Sequence, residues 1–185
     1  AETSKCIPTE DILSLINTYH DYCTDTMSTQ FCWLIQKNAE REWPDSIINL
    51  VCHIALHHNE PAPTQGSSTD SQDVFALETL ALNSARGAAV HTIAELIKHQ
   101  PQHREKLIKT INNVCKDDSL AVCHAVLFCI PYIVDTYEDI AYQWFHAIGE
   151  RDIRNYAGRP VAYFFFHVWK KHSNDLRLVI MRLFY

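Results

Sequence analysis

A recurrence of about 36 to 37 residues constrains this chain more than any other feature, because a short unit repeated in tandem buries its apolar face only by stacking on its own copies. Laying NSARGAAVHTIAELI, from Asn83, over LAVCHAVLFCIPYIV, from Leu120, at an offset of 37 pairs Ala88 with Ala125, Ala89 with Val126, Ile93 with Ile130 and Leu96 with Ile133. A further shift of 36 brings Arg159, Val161, Ala162, Phe166 and Trp169 under Arg86, Ala88, Ala89, Ile93 and Leu96. The downstream helices keep the register: Leu107, Ile108 and Ile111 correspond to Trp144, Phe145 and Ile148, then to Ile180, Met181 and Phe184. The unit is therefore a helix pair, present in three copies that start near Asn83, Leu120 and Tyr156.

Its length lies between those of the tetratricopeptide and HEAT units, and the tetratricopeptide Trp-Leu-Gly-Tyr pattern is missing. The expected fold class is all-α, an α-solenoid of antiparallel helix pairs of the HEAT or armadillo kind. Ser84 and Ser119 fall at helix starts, where a hydroxyl accepts from an unpaired backbone N–H. Pro101 and Pro160 suit first-turn positions. Pro131 lies within an apolar helix and is expected to kink it, having no N–H and a ring that meets the preceding turn.

Upstream, apolar residues at three and four spacing predict a helix from Thr9 through Tyr22 and a second from near Ser28. The Trp43-Pro44-Asp45 triplet then opens a third, which carries Ile47, Ile48, Val51 and Ile54. These helices, residues 1–58, cap one end of the stack. Residues 59–73, NEPAPTQGSSTDSQD, hold no large apolar side chain and read as a flexible loop. Residues 74–185 carry the three pairs, and the whole forms one continuous domain. Nothing evident caps the far end.

A chain of 185 residues with 47% hydrophobic and 21% charged residues has enough apolar side chains for such a core. The net charge of -6 argues against nucleic acid as partner, since backbone phosphates call for clustered Lys and Arg. A basic groove from Lys98, Arg104, Lys106, Lys109, Arg154, Arg159, Lys170 and Lys171 is the form that a HEAT-type nucleic-acid-binding or DNA-repair module would take. The cysteines Cys6, Cys23, Cys32, Cys52, Cys115, Cys123 and Cys129 have no disulfide-framework spacing. They read as reduced, buried small hydrophobes in a cytoplasmic protein. No membrane span or signal peptide is visible. The start at Ala1 without Met and the end on an apolar helical pattern suggest a piece of a longer chain.

Four groups of residues are candidates for function. His53 and His57, four apart, would project from one helical face as two zinc ligands, the basis of a metal-dependent enzyme reading, although no general-base Glu or CxxC accompanies them. The single histidines His91, His124, His146 and His167 read as packing or surface residues. Asn83, Ser84, Arg86 and Gly87 form a polar start to an apolar helix, with Arg159 the equivalent of Arg86. That start is either a close helix approach or an anion- or partner-binding spot. The stretch Tyr156 to Trp169, with Tyr163, Phe164, Phe165 and Phe166, is aromatic on all sides, more than core packing needs, and suggests an interface. No nucleophile, P-loop or dinucleotide fingerprint occurs, so neither catalytic residues nor a cofactor are expected.

The run ALNSARGAAVHTIAELI, then DDSLAVCHAVLFCIPYIVD and IAYQWFHAIGERD, resembles the C-terminal α-helical repeat region of large bacterial multidomain NTPase-like proteins. The shared shapes are LNSxRGxAxxxL and DxxxAVRxxxxxxLPxL; here Cys123 replaces the Arg of the second. The resemblance covers Ala81 to Asp152. It implies a sensing, regulatory or scaffolding arm beside an NTPase or effector module, with antiviral defence as a setting. The nucleotide chemistry would then lie elsewhere. The expected function is a non-catalytic module that binds a protein partner or adjacent domains of its own chain.

Overall fold

The apolar periodicities become helices in the computed structural model, which describes residues 9–19, 25–61, 74–157 and 159–184; every regular element among them is helical. The helices are α1 (Thr9–Tyr19), α2 (Asp25–Lys37), α3 (Asp45–His57), α4 (Val74–Asn83), α5 (Ala85–His99), α6 (Arg104–Val114), α7 (Leu120–Val126), α8 (Ile130–Ile133), α9 (Glu138–Gly149) and α10 (Arg159–Phe184). No helix among them is long and apolar enough to cross a membrane. Cys6 and Cys23 lie outside the described residues; Cys32, Cys52, Cys115, Cys123 and Cys129 are buried free thiols. Burial pushes the thiols of Cys115 and Cys123 up to about 12 and about 11, so they stay protonated and pack as small apolar groups.

Helix α5 is the axis of the molecule. All its residues from Ala85 to Ile97 except Glu95 are buried, the signature of a helix enclosed on every side. Small side chains at Ala85, Gly87, Ala88, Ala89 and Ala94 keep it slim, and it touches α2, α3, α4, α6, α7 and α8. Polar groups fix its position along the stack. The Thr92 hydroxyl lies 2.8 Å from the carbonyls of Cys32 and Ala88. At the other end the Gln100 amide donates to the Ala39 and Arg41 carbonyls, tying the end of α5 to the end of α2.

Two ranks of contact run through the structure. In one, α2 meets α5, α5 meets α8, and α8 meets α10; in the other, α3 meets α6, and the Trp144 indole of α9 donates to Asn112 of α6. Helix α4 is an addition to this order, laid across α5 and α7.

Pro131 has the effect its chemistry predicts. The helix that begins at Leu120 tightens into a 3₁₀ turn over Leu127–Cys129 and resumes at Ile130 with the proline in its first turn. Pro101 likewise opens a 3₁₀ turn, Pro101–His103, ahead of α6. Ser119 is a correction. It occupies the position before α7, but its buried hydroxyl makes no cap, and Asp117 accepts from the Ser119 N–H instead, at 2.9 Å.

The segment 59–73 also changes in part. Residues 62–73 lie outside the described residues, whereas Glu60 and Pro61 belong to the packed structure rather than to a loose loop. Pro61 is buried, and Glu60 meets the start of α5.

The last copy departs furthest from the aligned register. Val161 is buried as aligned, but Phe166, Trp169 and Met181 are exposed, and Phe164, Val168, Leu176 and Val179 fill the core instead. Val161, Phe164 and Val168 form one stripe, turned by roughly 100° from the aligned stripe of Val161, Ala162, Phe166 and Trp169 on a helix of 3.6 residues per turn. The chain arrives through a 3₁₀ turn, Ile153–Ala157, that the other copies lack at this point. Helix α10 changes direction at His172, its one non-helical residue. Phe164 packs 4.5 Å from Phe145, Lys171 and His172 reach Glu138 at the start of α9, and Asp175 accepts from the Tyr142 hydroxyl. The first half of α10 thus runs against α9, and the second half returns along it.

Candidate functional site

The corner between α4 and α5 gathers Asn83, Ser84, Arg86 and Gly87, and their roles separate there. Ser84 caps α5, accepting from the Gly87 N–H at 3.2 Å. Two further N–H groups of the first turn are taken by Glu60: Ala85 donates to its carboxylate and Arg86 to its carbonyl. The N-terminal end of this helix, a candidate anion spot by sequence, is therefore filled by the chain's own acid. Gly87 lies so close to α4 that a Cβ there would stand 1.6 Å from the Ala81 carbonyl oxygen. Asn83 is exposed and donates back to the Thr79 carbonyl of its own helix.

Arg86 is buried and works as a strut. Its Nε donates to the Ala55 carbonyl near the end of α3, and its Nη2 pairs with Asp117 beyond α6. Three successive segments are joined by one side chain. Removing it leaves a largely buried carboxylate and a buried carbonyl without their donor. Arg86→Met is expected to lose about 2 kcal/mol, below the roughly 3 to 5 kcal/mol of a fully buried pair because Asp117 keeps some solvent. A urea midpoint unchanged from wild type would rule the strut out.

Cys123, which stands where the aligned copies have arginine, receives an arginine from elsewhere. Arg151 reaches in to the Cys123 sulfur at 3.0 Å and the Cys115 carbonyl at 3.3 Å. Arg159 opens α10, but its side chain lies outside the described residues.

His53 and His57 do share a face, their rings 5.0 Å apart and both exposed. No group of three His, Cys, Asp or Glu able to hold a metal ion occurs among the described residues. Of the eight basic residues, Arg154 is held by Asp152 at 2.7 Å, Lys171 by Glu138 at 2.9 Å, Lys106 donates to Asn49, and Arg104 donates to the Ile97 carbonyl; Lys98 and Lys109 are exposed, and the side chains of Arg159 and Lys170 lie outside the described residues.

The aromatic stretch divides in two. Phe164 is fully buried and Phe165 partly so, its ring 5.6 Å from that of Phe145. Tyr163, Phe166 and Trp169 face outward, with Phe166 83% exposed.

Sequence reasoning missed the site with the most chemical content. A cavity of about 290 Å³ opens between α2, α5, α8 and α10, walled by Phe128, Tyr132 and Tyr163 and carrying Gln36, His91 and Glu95 as its polar groups. The Tyr132 hydroxyl donates to Glu95 Oε1 at 2.6 Å, and the His91 ring lies 4.3 Å from Phe128. Nε2 of His91 is buried and has no hydrogen-bond partner, and burial pushes that imidazole down to about 4. The available signal was a pair of four-residue spacings, His91 with Glu95 and Phe128 with Tyr132, which put each pair on one helical face.

A second buried histidine is better satisfied. His124 Nδ1 lies 2.8 Å from Asn155 Oδ1, and the Asn155 amide donates to the Ile148 carbonyl, so the imidazole is the donor at Nδ1. Its Nε2 stands 4.0 Å from Glu78 of α4. Comparison with protein-family models, curated protein sequences and solved structures gives no match to this chain.

Proposed function

We infer that the chain is a non-catalytic helical-repeat module, HEAT-like in the succession of its helix pairs, that binds a protein partner or an adjacent domain. The observation that carries this reading is the outer face of α10. Tyr163, Phe166 and Trp169 follow one another at three-residue spacing and are exposed, and Leu178 and Met181 extend the apolar surface beyond the bend. Large aromatic side chains left in water at this density favour burial against a partner, where they act as anchors.

The two ranks of contact support the repeat reading, because α2, α5, α8 and α10 follow one another on one side and α3, α6 and α9 on the other. The ion pairs of Arg154 and Lys171 weigh against a nucleic-acid groove, and the solvent-facing His53 and His57 have no third ligand beside them among the described residues. Beside an NTPase or effector module, the setting implied by the sequence resemblance, such a surface would sense or hold a partner by shape and contact.

Site-specific photocrosslinking tests it. A photoreactive phenylalanine analogue at position 166 is expected to give a discrete protein adduct in cells, and the same analogue at His53, an exposed position on α3, is expected to give none. Absence of an adduct at position 166, or equal labelling from both positions, would remove the proposal.

A further inference from the structure

The cavity beside this surface has a composition that selects its ligand by charge. Its volume, about 290 Å³, exceeds the roughly 150 Å³ that accommodates benzene in an apolar cavity, so a group of several heavy atoms fits. Among the described residues, Glu95 is the one carboxylate that lines it, and neither Lys nor Arg does. Three aromatic rings, from Phe128, Tyr132 and Tyr163, present faces whose quadrupoles attract positive charge. Tyr132 already takes part in such a contact, with the Lys98 ammonium 5.9 Å from its centroid.

A purely apolar occupant would leave the Glu95 carboxylate and the Gln36 amide against hydrocarbon, which is unfavourable by the desolvation of each polar group. An anion would meet Glu95. The Tyr132 hydroxyl holds Glu95 Oε1, while Oε2 lies 3.8 Å from His99 Nε2 and remains able to accept a stronger donor.

From these groups we propose that the cavity binds a protonated amine carrying methyl groups and at least one N–H, its methyls against the aromatic rings, its charge beside Glu95 and its N–H donated to the Glu95 carboxylate. His91 stays neutral at pH 7 and so adds no competing charge to the lining. The same chemistry is carried by a free small amine and by the side chain of a dimethylated lysine on a protein. The cavity shares only Tyr163 with the outer face of α10, and its occupancy is read separately from any adduct at position 166, so either proposal can fail alone.

Three probes test it in chemical-shift titrations of the whole chain at pH 7: dimethylethanolamine, which is charged and has an N–H; choline, which has a third methyl in place of that N–H; and isopentyl alcohol, the neutral isostere of dimethylethanolamine. Dimethylethanolamine is expected to bind about tenfold more tightly than the alcohol and severalfold more tightly than choline. Glu95→Gln should weaken the amine about tenfold and erase its advantage over choline. Tyr163→Leu, at an exposed position, should also weaken binding and guards against misfolding of the Glu95 variant. A dimethyllysine peptide that binds far more tightly than the free amine would make the source a protein partner, whereas equal affinity would make it a small molecule; both support the site. Equal binding of the amine and the alcohol, or no binding of either amine or peptide at millimolar concentration, would overturn it.

Discussion

Replacing Gly87 with alanine is expected to destabilise the protein by about 3 kcal/mol or more, against the usual gain of up to about 1 kcal/mol for alanine within a helix. The added Cβ would lie 1.6 Å from the oxygen and 2.6 Å from the carbon of the Ala81 carbonyl, and 2.8 Å from the Ser84 hydroxyl. The first two are backbone atoms at the end of α4, so no rotamer change clears them. Helix α4 must move away from α5, and with it the Ser84 cap and the α4 packing on α7 loosen. In a chain of this size the loss corresponds to a melting temperature lower by on the order of 10 °C. Calorimetry decides the matter, and a variant as stable as wild type would show that the corner has slack.

Acidification is the second perturbation with a large expected effect. Burial lowers the pKa values of His91, His124 and His146, the first to about 4, from an ordinary 6.5. In each case the unfolded chain takes up its proton first. Between pH 6.5 and 4 the unfolded state is therefore favoured progressively, and His91 alone removes about 3 kcal/mol across that window.

The carboxylates act later. Asp152 is held below its usual 3.8, chiefly by the Arg154 hydrogen bond, so its contribution is present above that value and is lost only as pH falls through the lowered one. Urea midpoints measured from pH 7.5 downward should thus fall before the acids titrate, and His91→Leu should flatten the curve. A midpoint that holds steady down to pH 5 would show that these imidazoles become charged without opening the core.

The sequence alone determined the helical class, because apolar residues at three and four spacing bury one stripe and nothing else does so as well. It also placed particular residues: the Ser84 cap, the break ahead of Pro131 and the close approach at Gly87 each follow from one residue's local chemistry. Local chemistry reaches no further than a turn or two. That is why Ser119 reads as a cap although its hydroxyl makes no cap bond and its own N–H is taken by Asp117, and why Glu60, in a stretch without large apolar residues, gives no sign that it closes the start of α5.

The face turned inward by the final helix was decided only by tertiary structure. A periodic pattern fixes which residues share a side, but where aromatic residues occur on every side the phase is free, and contact with Phe145 selected Phe164 over Phe166. The cavity belongs to the same class of fact. His91 with Glu95 and Phe128 with Tyr132 are each legible as a helical pair, yet their meeting depends on how α5 and α8 cross and on Tyr163 arriving from α10, a relation that no spacing within one segment encodes.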